Sequence, residues 1–241
     1  MTIPISELPP HLGHLVRNLQ DVTRLTEIHS QLSGKSRGRK HGVEVLNKSA
    51  IVLLVACWES FIERLAENAF DSMLKHARGP QVFPNKVLAI SSNALKQHQN
   101  DLEIWKLAGQ GWRSILLAHR NDVLERHVGK LNTPKPEQIK SLFETLLGIS
   151  DVTQCWSYQK MSPKLAETKL TELVVLRGDI AHKVTTSTSV QKATVTYYID
   201  FIGRLAGRMS SRVGLFVEER TQHIPWEVNI TYEPDSSPNG S

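Results

Sequence analysis

Arg177 and His182 are the residues of this 241-residue chain whose types and spacing best suit catalysis. They bracket Arg177-Gly178-Asp179-Ile180-Ala181-His182, which reads as the end of a helix. A histidine moves protons near neutral pH. An arginine grips a phosphate with paired hydrogen bonds and stabilises charge developing on its oxygens. Together they suit metal-free RNA cleavage, in which the ribose 2′-hydroxyl attacks the adjacent phosphate. Asp179, three residues before His182, is placed to hold the imidazole.

Helical geometry limits what one chain can do. Residues five apart differ by roughly 140° in direction and ~7.5 Å in rise. Arg177 and His182 of one chain therefore do not converge on a single phosphate, whereas two copies of the helix about a two-fold axis bring both pairs together. Gly178 costs ~1 kcal/mol relative to alanine within a helix. A helix that keeps it beside the arginine needs room for another backbone or a ligand.

Helical phase adds a second constraint. Leu170, Leu173, Val174, Leu176, Ile180 and Ala181 sweep out one apolar arc, with Arg177 near its middle and His182 just off its edge. A charge on a core-facing stripe is costly unless paired. Arg177 is therefore either half of a buried ion pair or part of a site, and the residues alone leave both readings open. A longer apolar arc, Ile51, Val52, Val55, Trp58, Ile62, Leu65, Ala66, Phe70 and Met73, contains Glu59. If the two helices pack together, these intruders of opposite sign meet. The expectation is a Glu59–Arg177 contact within ~4 Å, the ion-pair limit. Such a contact would fix the arginine's rotamer and leave part of its donor fork for phosphate.

Other candidates carry less. Arg120-Asn121-Asp122 through His127 offers a second arginine, asparagine and histidine, and Arg120 and His127 share a helical face, since seven residues make about two turns; a solvated polar face is the plain alternative. The loop 34–42 holds Lys35, Arg37, Arg39 and Lys40, which suit contact with an RNA backbone or simply solvent. His11 and His14 lack a further ligand at metal spacing. Cys57 and Cys155 match neither a disulfide framework nor a zinc site, and Cys57 reads as core. No metal and no cofactor are expected. Trp105 and Trp112 read as core or interface residues.

The elements that position these groups are outlined by proline, absent between Pro10 and Pro80 and again between Pro163 and Pro225. Three-four spacing predicts helices over about 12–32 and 43–76. Shorter ones follow near 87–97 and 104–108, and a longer one over 112–130. The turn 131–137 leads into a helix carrying Ile139, Leu142, Phe143 and Leu146, with Thr133 as cap and Pro134 at or near its first turn. The helix bearing the Arg/His pair starts at Ser162-Pro163. A break near 185–188 precedes a final helix over 189–219. The expectation is an all-α fold with one domain over 1–225, then an extended arm and a disordered tail over 226–241.

A net charge of +5 and a pI near 9.2 lean towards polyanionic partners without establishing one. The longest apolar run, 50–58, is too short to span a bilayer, and no signal-peptide pattern opens the chain. A cytoplasmic, reduced protein with no membrane partner is expected.

Three segments in order resemble a known family. They are Ala56-Cys57-Trp58-Glu59-Ser60-Phe61; then Leu131-Asn132-Thr133-Pro134 with Leu142-Phe143 and Leu147-Gly148-Ile149; then Leu173 to His182. Over about 43–216 the chain resembles the HEPN superfamily in its RiboL-PSP-type branch. The resemblance implies an all-α, HEPN-like helical bundle that forms a homodimer through its motif helices. It implies a metal-independent endoribonuclease leaving a 2′,3′-cyclic phosphate, of a kind used in phage defence or toxin–antitoxin systems. RNA, a second copy and an antitoxin or defence-system protein are the implied partners. Arg177 and His182 match the family's catalytic pair. The residue after the arginine is commonly polar, typically asparagine; here it is Gly178, and Asp179 would supply the missing polar group. The alternative is a non-catalytic HEPN module that dimerises or binds a partner, with Arg177 structural.

Overall fold

A computed structural model describes residues 7–33, 43–93, 95, 101–128, 134–182 and 189–226. Within them lie α1 (Pro10–Ser33), α2 (Glu44–His76), α3 (Asn85–Ser91), α4 (Gly111–Val128), α5 (Pro136–Leu147), α6 (Pro163–His182) and α7 (Lys192–Thr221). Single 3₁₀ turns cover Pro80–Val82, Asp101–Leu107 and Val152–Cys155. The described residues contain no strand, only an isolated bridge between Tyr158 and Met161. The all-α expectation holds.

The 33-residue α2 is the axis of the bundle, and α1, α4, α5, α6 and α7 all pack on it. Ile51, Leu54, Trp58, Ile62, Leu65, Ala69 and Met73 recur at three- and four-residue spacing and are fully buried. Trp58 stacks on Phe61, with ring centroids 5.5 Å apart, and meets Trp156 at 6.2 Å. Beyond the run 50–58, α2 contains an 18-residue window apolar enough, by length and composition alone, to cross a membrane, and half of that window is buried. Its apolar side is spent on the surrounding helices.

Two polar ties draw distant segments together. His11 on α1 is buried and hydrogen-bonds the Ser210 hydroxyl of α7 at 2.8 Å, and burial pushes its imidazole down to about 3. This histidine is a neutral packing group. Asn47 donates to the Val190 carbonyl at 2.8 Å and holds the approach to α7 against the start of α2.

Some local expectations are corrected. Helix α5 starts at Pro136, with Lys135 as its N-cap, rather than with Pro134 in its first turn; either proline tolerates that position because it lacks the amide a helix start leaves unpaired. Thr133 lies outside the described residues. Gly148 ends α5 at φ 75°, donating to the Glu144 carbonyl at 2.9 Å while Ile149 donates to that of Phe143 at 3.2 Å. A Cβ there would lie 2.7 Å from the Pro84 ring. Trp112 is buried as expected, but Trp105 is 71% exposed. The basic loop with Lys35, Arg37, Arg39 and Lys40, the break at 185–188 and the arm beyond Trp226 lie outside the described residues.

Candidate active site

The Arg/His motif rides on the C-terminal half of α6. Near its start, Glu167 is buried yet ionic, held by Lys140 of α5 at 2.5 Å and by the Thr153 hydroxyl at 2.8 Å. Burial alone would raise its carboxyl pKa, but the Lys140 and Thr153 hydrogen bonds outweigh that and hold it below the ordinary value. Asp151 accepts from the Thr153 amide at 3.0 Å and fixes the short turn that presents Thr153. Ala166, Leu170 and Leu173 are then fully buried, and Val174 nearly so.

Beyond Val174 the helix is less deeply buried. Val175 is 51% exposed, and every residue from Leu176 to Ile180 is only half-buried. This corrects the expectation that Arg177 lies buried on a core-facing stripe. Phase gives the side of a helix that faces the body, but not how far along the axis the body extends. Leu176 and Ile180 stay partly buried and packed against the core, while Ala181 is exposed. Arg177, Gly178 and Asp179 are half-buried towards this end of the helix. A Cβ built at Gly178 would have nothing within 4 Å, so none of the described residues requires a glycine there. His182 closes α6; its backbone is described, but its side chain lies outside the described atoms.

Glu59 does face Arg177, but not in direct contact. Arg177 lies close enough for its charge to act on the Glu59 carboxyl. Among the described residues, however, no ion pair within 4.0 Å joins them, so the expected salt bridge is absent. A second carboxylate sits one turn along α2. Glu59 is half-buried, and Glu63, four residues on, adds a second negative charge. Burial first, then Glu63, push the Glu59 carboxyl up to about 7, and the pull of Arg177 only partly offsets them. A carboxyl that titrates near neutrality can hold or accept a proton there. Glu63 itself is raised by burial, with Arg64 opposing and Glu67 adding to the shift. The sequence reading passed over Glu63, although its four-residue spacing from Glu59 was visible.

The competing motif is accounted for by structure. Arg120 on α4 donates to Glu67 at 2.5 Å and Asp71 at 2.9 Å, both on α2. Its guanidinium is an interhelical clamp.

The described residues form an all-α helical bundle, consistent with a HEPN-type domain. A family model described as RiboL-PSP-HEPN matches residues 17–213, and the chain belongs to that family. HEPN domains point to an RNase-type or nucleotide-related function. No curated protein and no solved structure matched the chain.

Proposed function

We propose that this protein is a metal-independent endoribonuclease whose active site is completed by two copies of the chain. One observation carries the reading: towards the C-terminal end of α6, Arg177 is half-buried with no carboxylate within 4.0 Å among the described residues, five residues before His182. A structural arginine would have its charge matched, whereas this one keeps its donor fork for an anion. In the proposed dimer, the α6 ends pack about a two-fold axis and Leu176 and Ile180 complete their burial against the partner. Gly178 provides the close approach. Arg177 binds the scissile phosphate and stabilises its developing charge. His182 acts as base or acid, Asp179 orients it, and Glu59 tunes the charge around the arginine. Lys35, Arg37, Arg39 and Lys40 hold the strand.

The setting we propose is cytoplasmic, in phage defence or a toxin–antitoxin system, with an antitoxin or defence-system protein as regulator and no membrane involvement. The rival is a non-catalytic HEPN module, favoured by Gly178 where a polar residue is common. A cleavage assay with EDTA separates the two. Active protein should leave 2′,3′-cyclic phosphate ends, and light scattering at micromolar concentration should give a dimer. Mixing Arg177→Ala with His182→Ala chains should restore part of the activity, because some mixed dimers regain one intact site. A monomer that cuts no RNA would leave only the rival.

A further inference from the structure

The exposed face of α7 carries charge that the proposed chemistry does not use. At ~100° per residue, Tyr197, Arg204, Arg208, Arg212 and Leu215 fall within one arc of roughly 80°. The opposite side, including Val195, Ile202, Leu205, Ala206, Met209 and Val213, is buried. The arginines stand four residues apart, ~6 Å in rise. Asp200 pairs with Arg204 at 2.8 Å. Arg208 and Arg212 are exposed, and among the described residues neither has a carboxylate within 4.0 Å. Like charges at this spacing repel, so the row is costly without an anion.

An aromatic side chain is built into the row. Tyr158 sits in the tight turn closed by the Tyr158 amide on the Met161 carbonyl at 3.0 Å. The guanidinium carbons of Arg204 and Arg208 both lie 5.6 Å from its ring centroid, within cation–π range. Exposed Lys160 is the next cation in the same turn. Arg208 and Arg212 also act on half-buried Cys155, so the short 3₁₀ turn 152–155 borders the same row. Tyr197, 43% exposed, begins the row within electrostatic reach of Lys169 on α6. Lys169 stands eight residues, ~12 Å of helix rise, before Arg177. The row therefore leads towards the motif helix.

We propose that the α7 face bearing Arg208 and Arg212, together with Tyr158, is a track for the single-stranded RNA that flanks the cleaved phosphate. Cations spaced along a backbone, with aromatic rings between them on which bases stack, are the recognition chemistry of single-stranded nucleic acid. A lipid surface would be served by the cations alone, with no role for Tyr158. The track rests on the nuclease reading for its purpose, but not for its test.

The test is fluorescence anisotropy of the full chain with a labelled 2′-O-methyl oligouridylate of about 20 nucleotides, which lacks the attacking hydroxyl and cannot be cut. Arg208→Ala/Arg212→Ala should weaken binding roughly tenfold at ~0.1 M salt. It should also make the slope of log K against log salt shallower by about 1.4, at ~0.7 per phosphate contact on a single strand. Arg208→Lys/Arg212→Lys should keep the wild-type slope, and thermal melts should show all three proteins folded. Tyr158→Ala should weaken binding about fivefold or more without changing the slope. Wild-type affinity and slope in the double alanine variant would overturn the track, as would wild-type protein that binds phosphatidylserine vesicles but not the oligonucleotide. If the wild type binds in this arginine-dependent way yet leaves unmodified RNA uncut, the nuclease reading fails and the track stands. If the double alanine variant cuts RNA with unchanged KM, the track fails and the nuclease reading stands.

Discussion

Two arginines confront the same acidic edge of α2, and they are used in opposite ways. Glu59, Glu63, Glu67 and Asp71 recur every four residues along that helix. At one end Arg120, its side chain only 16% exposed, is held by Glu67 and Asp71 together. At the other end Arg177 faces Glu59 without an ion pair, and Glu59 is driven towards neutrality by burial and by Glu63. In sequence both arginines precede a histidine by five or seven residues. The difference lies in how much negative charge each meets. Two carboxylates pair with Arg120 and fasten α4 to α2. Arg177 has no such pair among the described residues, which under the proposed function leaves it able to take an anion.

The largest effect that would separate the two arginines is on cleavage. Arg177→Ala should lower the RNA cleavage rate by about 10²–10³, the usual cost of one charge-stabilising donor, while its melting temperature stays near wild type. Arg120→Ala should do the reverse, losing about 1–2 kcal/mol of stability by stranding two partly exposed carboxylates, with cleavage kept below its melting range. Chemical denaturation and initial rates on both variants check the pair, and equal stability losses would erase the contrast.

Glu59 sharpens it. A carboxyl whose folded pKa is about 7, against 4.5 for the free group, favours the folded state when protonated. Its contribution is intact below about pH 4.5 and is lost as pH rises through 7. Glu59→Gln, a mimic of the protonated form, should match wild type near pH 5. At pH 8 it should be more stable by ~1 kcal/mol, after discounting for partial exposure. Urea unfolding at the two pH values measures this, and an equal difference at both would remove the charge account of Glu59.

The smallest effect tests the open side of α6. Gly178→Ala should gain up to ~1 kcal/mol of helix stability in the isolated subunit, since nothing occupies the Cβ position. The same change should weaken the dimer and slow cleavage if another backbone or the RNA approaches there. A variant that gains stability and keeps full activity would show that the glycine serves neither.

Much of the scaffold was legible because periodicity is strong where a helix is buried along its length. Helix α2 was expected over 43–76 and runs Glu44–His76; α1 was expected over 12–32 and runs Pro10–Ser33. The motif helix was placed by Pro163 at its start. What the sequence hid was environment. The same stripe logic that put Trp58 in the core put Arg177 there too, because phase carries no information about where the body ends along the axis. The direct Glu59–Arg177 bridge failed because helical phase brings two faces together without fixing the distance between their side chains. The turn that presents Thr153 to Glu167 had no periodic signal at all.

The central claim is that Arg177 is a working arginine and Arg120 a structural one. The most direct measurement is cleavage of a labelled RNA by wild type, Arg177→Ala and Arg120→Ala in EDTA, with product ends analysed for 2′,3′-cyclic phosphate. The account predicts cyclic-phosphate products from wild type and Arg120→Ala, and intact RNA with Arg177→Ala. Undiminished cleavage by Arg177→Ala would contradict it.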